Sequence, residues 1–160
     1  MGVKFSNVRG TLDYDVAENA RFQKIIRQAR TVFKAFGYGE IQLPLLEETG
    51  LFAKSVGATS DIVQRQMFRI EDKDIVLRPE GPAQVIRYYI QHALHKQGGL
   101  HKFSYIGPMF RGERPQKGRL REFHHIGAEV IGSDSVYHDA ETIMLLRDIL
   151  TAAGVKDFRL

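Results

Sequence analysis

Residues 102–131 read KFSYIGPMFRGERPQKGRLREFHHIGAEVI. Two stretches rich in apolar and aromatic residues, at about 102–111 and 121–131, enclose a loop of 112–120 that is dense in charge. This order predicts two long strands joined by the loop. This stretch decides the fold class, because two long strands form a sheet, and the apolar face of a sheet must be covered by other elements such as helices.

The second predicted strand separates an apolar face from a polar one, because side chains alternate between faces along a strand. Its predicted core-facing positions are Ile126, Ala128 and Val130. The other face carries a ring, an imidazole, a glycine and a carboxylate, namely Phe123, His125, Gly127 and Glu129. A buried carboxylate is costly without a partner, so we expect Glu129 to meet a ligand cation or a nearby arginine. Gly127 is expected to leave room for a ligand against the sheet.

The loop and its flanks offer several charged side chains, which are Arg111, Glu113, Arg114, Lys117, Arg119 and Arg121. Arginine suits bidentate contact with phosphate, and Phe123 could stack on a base. One interpretation is therefore a nucleotide that lies beside a cationic small molecule. The other is a solvated loop with a network of surface ion pairs, and the pattern alone leaves both open.

Glu80 lies where a predicted strand, ending near Arg78, gives way to a helix with Pro82 in its first turn. Ligands often bind at such an edge. An acidic residue at a helix N-terminus also interacts favourably with the helix dipole, and the pattern by itself favours this second role.

Hydrophobic periodicity elsewhere predicts helices at about 16–36, 80–95 and 136–153, the second with an apolar stripe of Ala83, Ile86 and Ile90. Strands are expected at 40–43 and at the incomplete stretch 156–160, a hairpin over 67–78, and a looser segment around 51–57. Interspersed helices and hairpins predict an α+β fold with antiparallel pairing.

The chain has 160 residues, of which 43% are hydrophobic and 26% charged, and these values exclude a disordered or low-complexity protein. It has no cysteine, which excludes disulfides, cysteine zinc sites and thiol nucleophiles and suits a reducing cytosol. The six histidines lack zinc-binding spacing, so no metal site is predicted. No apolar run reaches a membrane span, and the net charge of +4 is compatible with an anionic partner.

Three stretches resemble the histidyl-tRNA synthetases, a family of class II aminoacyl-tRNA synthetases. They are RPEG at 78–81, GPMFRGERPQKGR at 107–119 and REFHHIGAE at 121–129. The middle stretch resembles the family's form of class II motif 2, and residues 37–44 with Glu47 are similar to motif 1. The resemblance implies an antiparallel sheet with flanking helices, and a homodimer built through motif 1.

The resemblance also implies an ATP site. Arg111 would hold the α-phosphate of ATP and act as the catalytic residue. Glu113 would lie near the adenine end and Arg119 would clamp the outer phosphates, which Mg²⁺ neutralises. Phe123 would stack on adenine.

The amino-acid site implied by the resemblance uses Glu80 for the α-amino group of histidine and Glu129 for its imidazole. Pro82 and His125 stand in the same pocket, where the family usually has threonine and glutamine. The implied activity is ATP-dependent formation of histidyl-adenylate and transfer of histidine to tRNA(His) in the cytoplasm.

Residues 1–160 would form the N-terminal part of the catalytic domain, with motifs 1 and 2, whereas motif 3 and the anticodon-binding domain would be absent. Such a truncated fragment is expected to be inactive alone. The alternative is a synthetase-like regulatory subunit of ATP phosphoribosyltransferase, which usually lacks the ATP-clamping loop. A third hypothesis is a synthetase-like domain that senses RNA without catalysis.

Overall fold

A computed structural model describes residues 5–55, 57 and 65–160. Its helices are α1 (Val16–Ala35), α2 (Thr49–Ser55), α3 (Pro82–Gln91) and α4 (Val136–Ala152), with a 3₁₀ turn at Leu94–Lys96. Its strands are β1 (Gly39–Glu40), β2 (Leu46–Glu48), β3 (Ile75–Leu77), β4 (His101–Phe110) and β5 (Glu122–Ile131). One sheet has the order β1-β4-β5 and the other pairs β2 with β3, so the predicted α+β class is confirmed.

The chain divides into two compact units, which are described separately. The first unit comprises Met1–Asp13, Leu43–Tyr88 and Gly107–His125, and the second comprises Tyr14–Gln42, Tyr89–Ile106 and Ile126–Leu160. The strands β4 and β5 each contribute residues to both units.

The second unit has an apolar core between α1, α4 and the sheet. The side chains of Ala29, Phe33, Tyr38 and Leu145 are buried there, and Ile126, Ala128 and Val130 pack against them. The predicted core-facing run of β5 is therefore confirmed. The helix α1 begins at a capping box, in which the Asp15 carboxylate accepts from the Glu18 amide at 2.8 Å and Glu18 accepts from the Asp15 amide at 3.0 Å.

The first unit packs α2 and α3 against the β2–β3 pair. Phe52, Val76 and Ala83 are its buried apolar side chains, with Leu51 and Met67 beside them. The segment predicted as loose around 51–57 thus contains the helix α2, whose fully buried Phe52 fixes it to the core. Its seven residues are too few to show a clear helical period in the sequence.

The predicted strand pairings need one correction and one addition. The strand expected at 40–43 is limited to Gly39–Glu40 and runs parallel to β4, with Gly39 opposite Phe103. The hairpin expected over 67–78 is confirmed, because the Ile70 amide donates to the Ile75 carbonyl and the Leu77 amide to the Phe68 carbonyl, both at 2.9 Å, around an antiparallel bridge. In addition, β3 takes β2 as an antiparallel partner. Sequence alternation does not specify a partner that lies far away along the chain.

The apolar stripe predicted for the second helix is confirmed at Ala83, which is buried, and is wrong at Ile86 and Ile90. Ile86 and Ile90 are 45% and 57% exposed, whereas Gln84 and Val85 are fully buried. The helix is rotated so that a glutamine faces the interior, where its amide finds acceptors. Residues 156–160 adopt no strand.

Candidate functional site

Arg111 follows the last residue of β4 and is held in place by the chain around Pro79. Its Nε donates to the Pro79 carbonyl at 2.9 Å, and its guanidinium lies over the Phe123 ring at 5.2 Å from the ring centre. The Arg111 amide donates to the Arg121 carbonyl at 2.9 Å. A half-buried guanidinium anchored on one edge is thereby oriented before any ligand arrives.

Arg78 is 4% exposed and hydrogen-bonds to carbonyls of two neighbouring segments. Its Nε donates to the Pro108 carbonyl at 2.8 Å and its Nη1 to the Leu43 carbonyl at 2.8 Å. The Arg78 carbonyl accepts from the Phe110 amide at 2.9 Å. A β-carbon at Gly107 would collide with the Arg78 guanidinium, so the glycine is required for this packing.

The loop after β4 contains a small ion-pair network. Glu113 Oε2 lies 3.5 Å from Arg119 Nη1, and Glu113 Oε1 lies 3.9 Å from Arg111 Nη1. The Arg119 side chain is 65% exposed, so its pair with Glu113 is weak and open to exchange for a ligand anion. The ion-pair interpretation and the nucleotide interpretation of the loop are therefore compatible.

A cavity of about 760 Å³ opens beside this network, a size suited to a nucleotide. All four residues predicted for ATP line it, namely Arg111, Glu113, Arg119 and Phe123. Five further residues line it that were not among the predicted site residues, namely Leu12, Gln66, Gly118, Leu120 and His124. The structure thus brings the predicted nucleotide residues together around one opening.

Glu80 stands at the start of α3, where its Oε1 accepts from the Ala83 amide at 3.0 Å. Burial raises the pKa of its carboxyl, and the Ala83 hydrogen bond and the charge of Arg111 oppose that rise. The helix N-terminus interpretation is therefore confirmed. Glu80 also lines a second cavity with Pro82 and Lys54, so the capping role leaves its carboxylate next to open space.

His125 is half-buried on β5, and burial lowers the pKa of its imidazole. The positive charges of Arg111 and Arg78 lower it further. The neutral form of this imidazole is therefore favoured more than in an ordinary histidine.

Glu129 belongs to the second unit and meets a tyrosine there. The Tyr105 hydroxyl donates to Glu129 Oε1 at 3.2 Å, and Tyr105 is 2% exposed. The neutral Tyr105 hydroxyl is thus one partner of Glu129, and the expected ligand cation or arginine partner stays a prediction. The prediction that Gly127 leaves room for a ligand is wrong, because a β-carbon there would collide with the Tyr105 ring, which already fills that space.

The described ranges, 5–55, 57 and 65–160, contain no cluster of three or more histidine or acidic side chains arranged to hold a metal ion. In the same ranges, no helix combines the length and the apolar character needed to cross a bilayer.

Comparison with known proteins decides the family. The family model described as histidyl-tRNA synthetase matches residues 10–160. The chain belongs to the histidyl-tRNA synthetase family. The family expected from the three sequence stretches is thereby confirmed.

Curated relatives agree with this assignment. The histidine–tRNA ligase of Solibacter usitatus is 47% identical over 156 residues, which cover 96% of this chain and 38% of the relative. The histidine–tRNA ligase of Sulfurovum sp. is 48% identical over 151 residues, which cover 92% of this chain and 38% of that relative. The chain therefore spans well under half the length of these histidyl-tRNA synthetase family members.

Solved structures show the same fold. A structure titled as an ATP phosphoribosyltransferase regulatory subunit/histidyl-tRNA synthetase from Bacillus halodurans has a TM-score of 0.82 at 26% identity, over 99% of this chain and 41% of that one. The apo histidyl-tRNA synthetase of S. aureus has a TM-score of 0.76 at 31% identity, over 95% of this chain and 35% of that one. The class II synthetase-like fold is thus established for this family member.

Sequence reasoning missed Arg78 and Tyr105 because both act through long-range contacts. Tyr105 and Arg111 are six residues apart, so strand alternation puts them on one face, and this is the signal that could have identified Tyr105. Arg78 belongs to the RPEG stretch at 78–81, but no local pattern indicates its burial, since an arginine at a strand end is usually exposed.

Proposed function

We propose that this chain is the part of a histidine–tRNA ligase that binds ATP and histidine and forms histidyl-adenylate. The observation that carries the proposal is the convergence of Arg111, Glu113, Arg119 and Phe123 on one cavity, in a chain of this family. Their chemistry matches the four needs of a nucleoside triphosphate: a ring to stack on, a contact near the base, and two cations for phosphates.

In the proposed reaction, the carboxylate of histidine attacks the α-phosphorus of ATP and pyrophosphate leaves. Negative charge builds on the non-bridging oxygens, where a fixed guanidinium is most effective. Arg111 suits this role because its Nε is already anchored to the Pro79 carbonyl. Arg119 is proposed to exchange its weak pair with Glu113 for the outer phosphates.

The histidine substrate is proposed to meet Glu80, Pro82, His125 and Glu129. Glu80 would accept from the α-ammonium group, whose positive charge would favour the ionised carboxyl against the effect of burial. His125 would contribute an uncharged imidazole that does not repel the ammonium. Glu129, in the second unit, would accept from the imidazole of the substrate.

The finer assignments follow from the same proposal. Mg²⁺ would arrive with the phosphates of ATP as part of the substrate and would neutralise their charge. Residues 1–160 would be the N-terminal part of the catalytic domain, the tRNA(His) acceptor end would receive histidine, and motif 1 would build a homodimer. A cytoplasmic location is supported by the absence of cysteine.

A second candidate is the synthetase-like regulatory subunit of ATP phosphoribosyltransferase. This chain is similar to a Bacillus halodurans protein that is described both as an ATP phosphoribosyltransferase regulatory subunit and as a histidyl-tRNA synthetase, and this similarity supports the second candidate. The retained arginines and Phe123 around one cavity favour the ligase, because a subunit that only senses histidine does not need to clamp ATP.

Histidine-dependent exchange between ATP and pyrophosphate tests the proposal. It is measured with this chain and with a chain extended to the length of the curated relatives. Exchange by the extended chain supports the ligase. Histidine binding without exchange by either chain contradicts it and favours the regulatory subunit, and tRNA binding without any ATP binding favours the RNA-sensing hypothesis.

A further inference from the structure

The described part of the N-terminal segment, Phe5–Asp13, has no helix or strand, yet it lies against the base of the loop 112–120. The Gly10 carbonyl accepts from the Arg121 amide at 2.7 Å and from the Glu122 amide at 3.4 Å. Arg121 Nη1 also donates to the Arg9 carbonyl at 3.3 Å. We call this segment the N-terminal strap.

The strap approaches the loop base through a tight turn. The Thr11 amide donates to the Val8 carbonyl at 2.9 Å, and the Thr11 hydroxyl donates to the same oxygen at 2.8 Å. Gly10 is the third residue of this turn and has φ +92°, a conformation that favours glycine. The turn presents the Gly10 carbonyl towards β5.

Gly10 is also required by the space around it. A β-carbon there would lie 2.8 Å from Arg121 Cγ, 3.1 Å from Arg121 Cβ and 3.0 Å from Pro115 Cγ. Both neighbours belong to the loop or its base. Any side chain at position 10 would therefore have to push the strap and the loop apart.

Arg121 connects the strap to both sides of the loop. Its Nε donates to the Glu113 carbonyl at 3.3 Å, and its own carbonyl accepts from the Arg111 amide at 2.9 Å. Leu12, two residues after Gly10, lines the same cavity as Arg111 and Glu113. One short segment thus fixes the back of the loop and supplies a wall of the cavity.

We propose that the N-terminal strap is a positioning element for the nucleotide loop, and that Gly10, acting through Arg121, sets the geometry in which Glu113 and Arg119 meet a nucleoside triphosphate. The nucleotide part rests on the proposed function. The coupling between strap and loop does not, because it follows from contacts within the first unit.

The test compares Gly10→Ala with Gly154→Ala. Gly154 also has positive φ, at +83°, but a β-carbon there meets nothing within 4 Å. Both variants carry the backbone penalty of a left-handed alanine, and only the first displaces Arg121 and Pro115. Arg121→Met is the second test variant, since it removes the guanidinium hydrogen bonds without placing a side chain at position 10.

Two measurements are made on the 160-residue chain. The first is the rate of tryptic cleavage after the exposed loop residues Lys117 and Arg119. The second is calorimetric titration with ATP and, separately, with histidine. Thermal unfolding midpoints are recorded so that the variants are compared at equal fractions folded.

We expect Gly10→Ala and Arg121→Met to raise the loop cleavage rate and the Kd for ATP by about tenfold, with the Kd for histidine changed less than about twofold. Gly154→Ala should leave all three at wild-type values. This split between ATP and histidine would not arise from a general loss of stability.

Wild-type cleavage and ATP affinity in both test variants would overturn the proposal. Equal effects of Gly10→Ala and Gly154→Ala would also overturn it. If Gly10→Ala does not fold, Arg121→Met decides the outcome alone. If the wild-type chain binds no ATP, the proposed function is contradicted for this chain, and the cleavage rates still decide whether the strap holds the loop.

Discussion

Both units have an apolar core, but they differ in the polar side chains that they bury. In the first unit, Arg78 and Gln84 are buried beside the apolar core, and Gln84 donates to the Pro44 carbonyl at 2.9 Å and to Glu47 at 3.0 Å. In the second unit, the buried cluster is Ala29, Phe33, Tyr38 and Leu145, and Ser104 is a small buried polar residue.

The buried polar side chains of the first unit position other polar groups, whereas the interior of the second unit contributes mainly apolar packing. Hydrogen bonds fix direction, so a buried guanidinium can set where the backbone around Pro79 holds Arg111. Apolar contacts are non-directional and contribute mainly free energy of folding. The predicted nucleotide residues all belong to the first unit, whose interior contains the hydrogen-bonded side chains of Arg78 and Gln84.

Replacing Phe33 by alanine should have the largest effect on stability. The ring is 3% exposed in the apolar core, so its loss removes buried area and leaves a cavity that costs about 3–5 kcal/mol of unfolding free energy. Urea denaturation measures this. Phe5→Ala is the control, since Phe5 is 78% exposed and its loss should cost less than about 0.5 kcal/mol. A loss below about 1 kcal/mol for Phe33→Ala would contradict the packing role.

Arg78→Met tests the polar interior. Methionine fills part of the volume but leaves the Leu43 and Pro108 carbonyls without their donor, and we expect a loss of about 3 kcal/mol. Hydrogen exchange should accelerate at the Ile75–Leu77 amides, while the amides of α1 stay protected. The exposed Arg27 serves as control through Arg27→Met. Stability equal to that of the wild type would show that the guanidinium is replaceable by apolar volume.

Arg111→Ala should lower ATP–pyrophosphate exchange by at least about 10²-fold in a chain that shows exchange, because charge that builds on phosphorus loses its fixed cation. The unfolding midpoint should change little, since the side chain is only half-buried. Arg114→Ala removes an exposed arginine of the same loop and should leave exchange unchanged. Exchange at the wild-type rate in Arg111→Ala would refute the assignment of Arg111.

Glu129→Gln should weaken histidine binding by about tenfold and ATP binding by less than about twofold. Glutamine keeps an oxygen that can accept from Tyr105, so the packing of the second unit is preserved. Calorimetric titration with each ligand measures the two affinities. An equal loss of both would make Glu129 a structural residue.

Glu80→Gln should give the smallest effect, and it depends on pH. Burial raises the pKa of Glu80 in the folded state, so the folded chain binds its proton more tightly than the unfolded chain. This contribution to stability is present below the ordinary value of 4.5 and is lost as pH rises through the raised pKa. Glutamine does not titrate, so the variant does not lose this contribution. The unfolding free energy of the variant minus that of the wild type should therefore increase as pH rises from 4.5 through the raised pKa of Glu80.

Unfolding free energies from about pH 4 to pH 7 check this expectation for Glu80. Glu71→Gln is the matched control, because Glu71 is exposed in the same unit. Curves that run parallel for Glu80→Gln and wild type would contradict the assigned effect of burial.

Local patterns determined much of the fold. Because β5 alternates apolar and polar residues, the sequence placed Ile126, Ala128 and Val130 in the core, and the 3.6-residue period located α1. The arginines of the loop and the adjacent ring are also local features, and they left a nucleotide site and a surface ion-pair network as alternatives until the resemblance to the family favoured the nucleotide.

The tertiary structure alone decided how these residues are supported. Arg78 reaches carbonyls 30 and 35 residues away, Tyr105 covers Gly127, and Gly10 lies against Arg121. No periodicity along the chain encodes such contacts, because they depend on which distant segments meet when the apolar faces are buried. The sequence by itself therefore determined the chemistry that this chain carries and the faces that it buries, and the packing of distant segments determined where that chemistry is held.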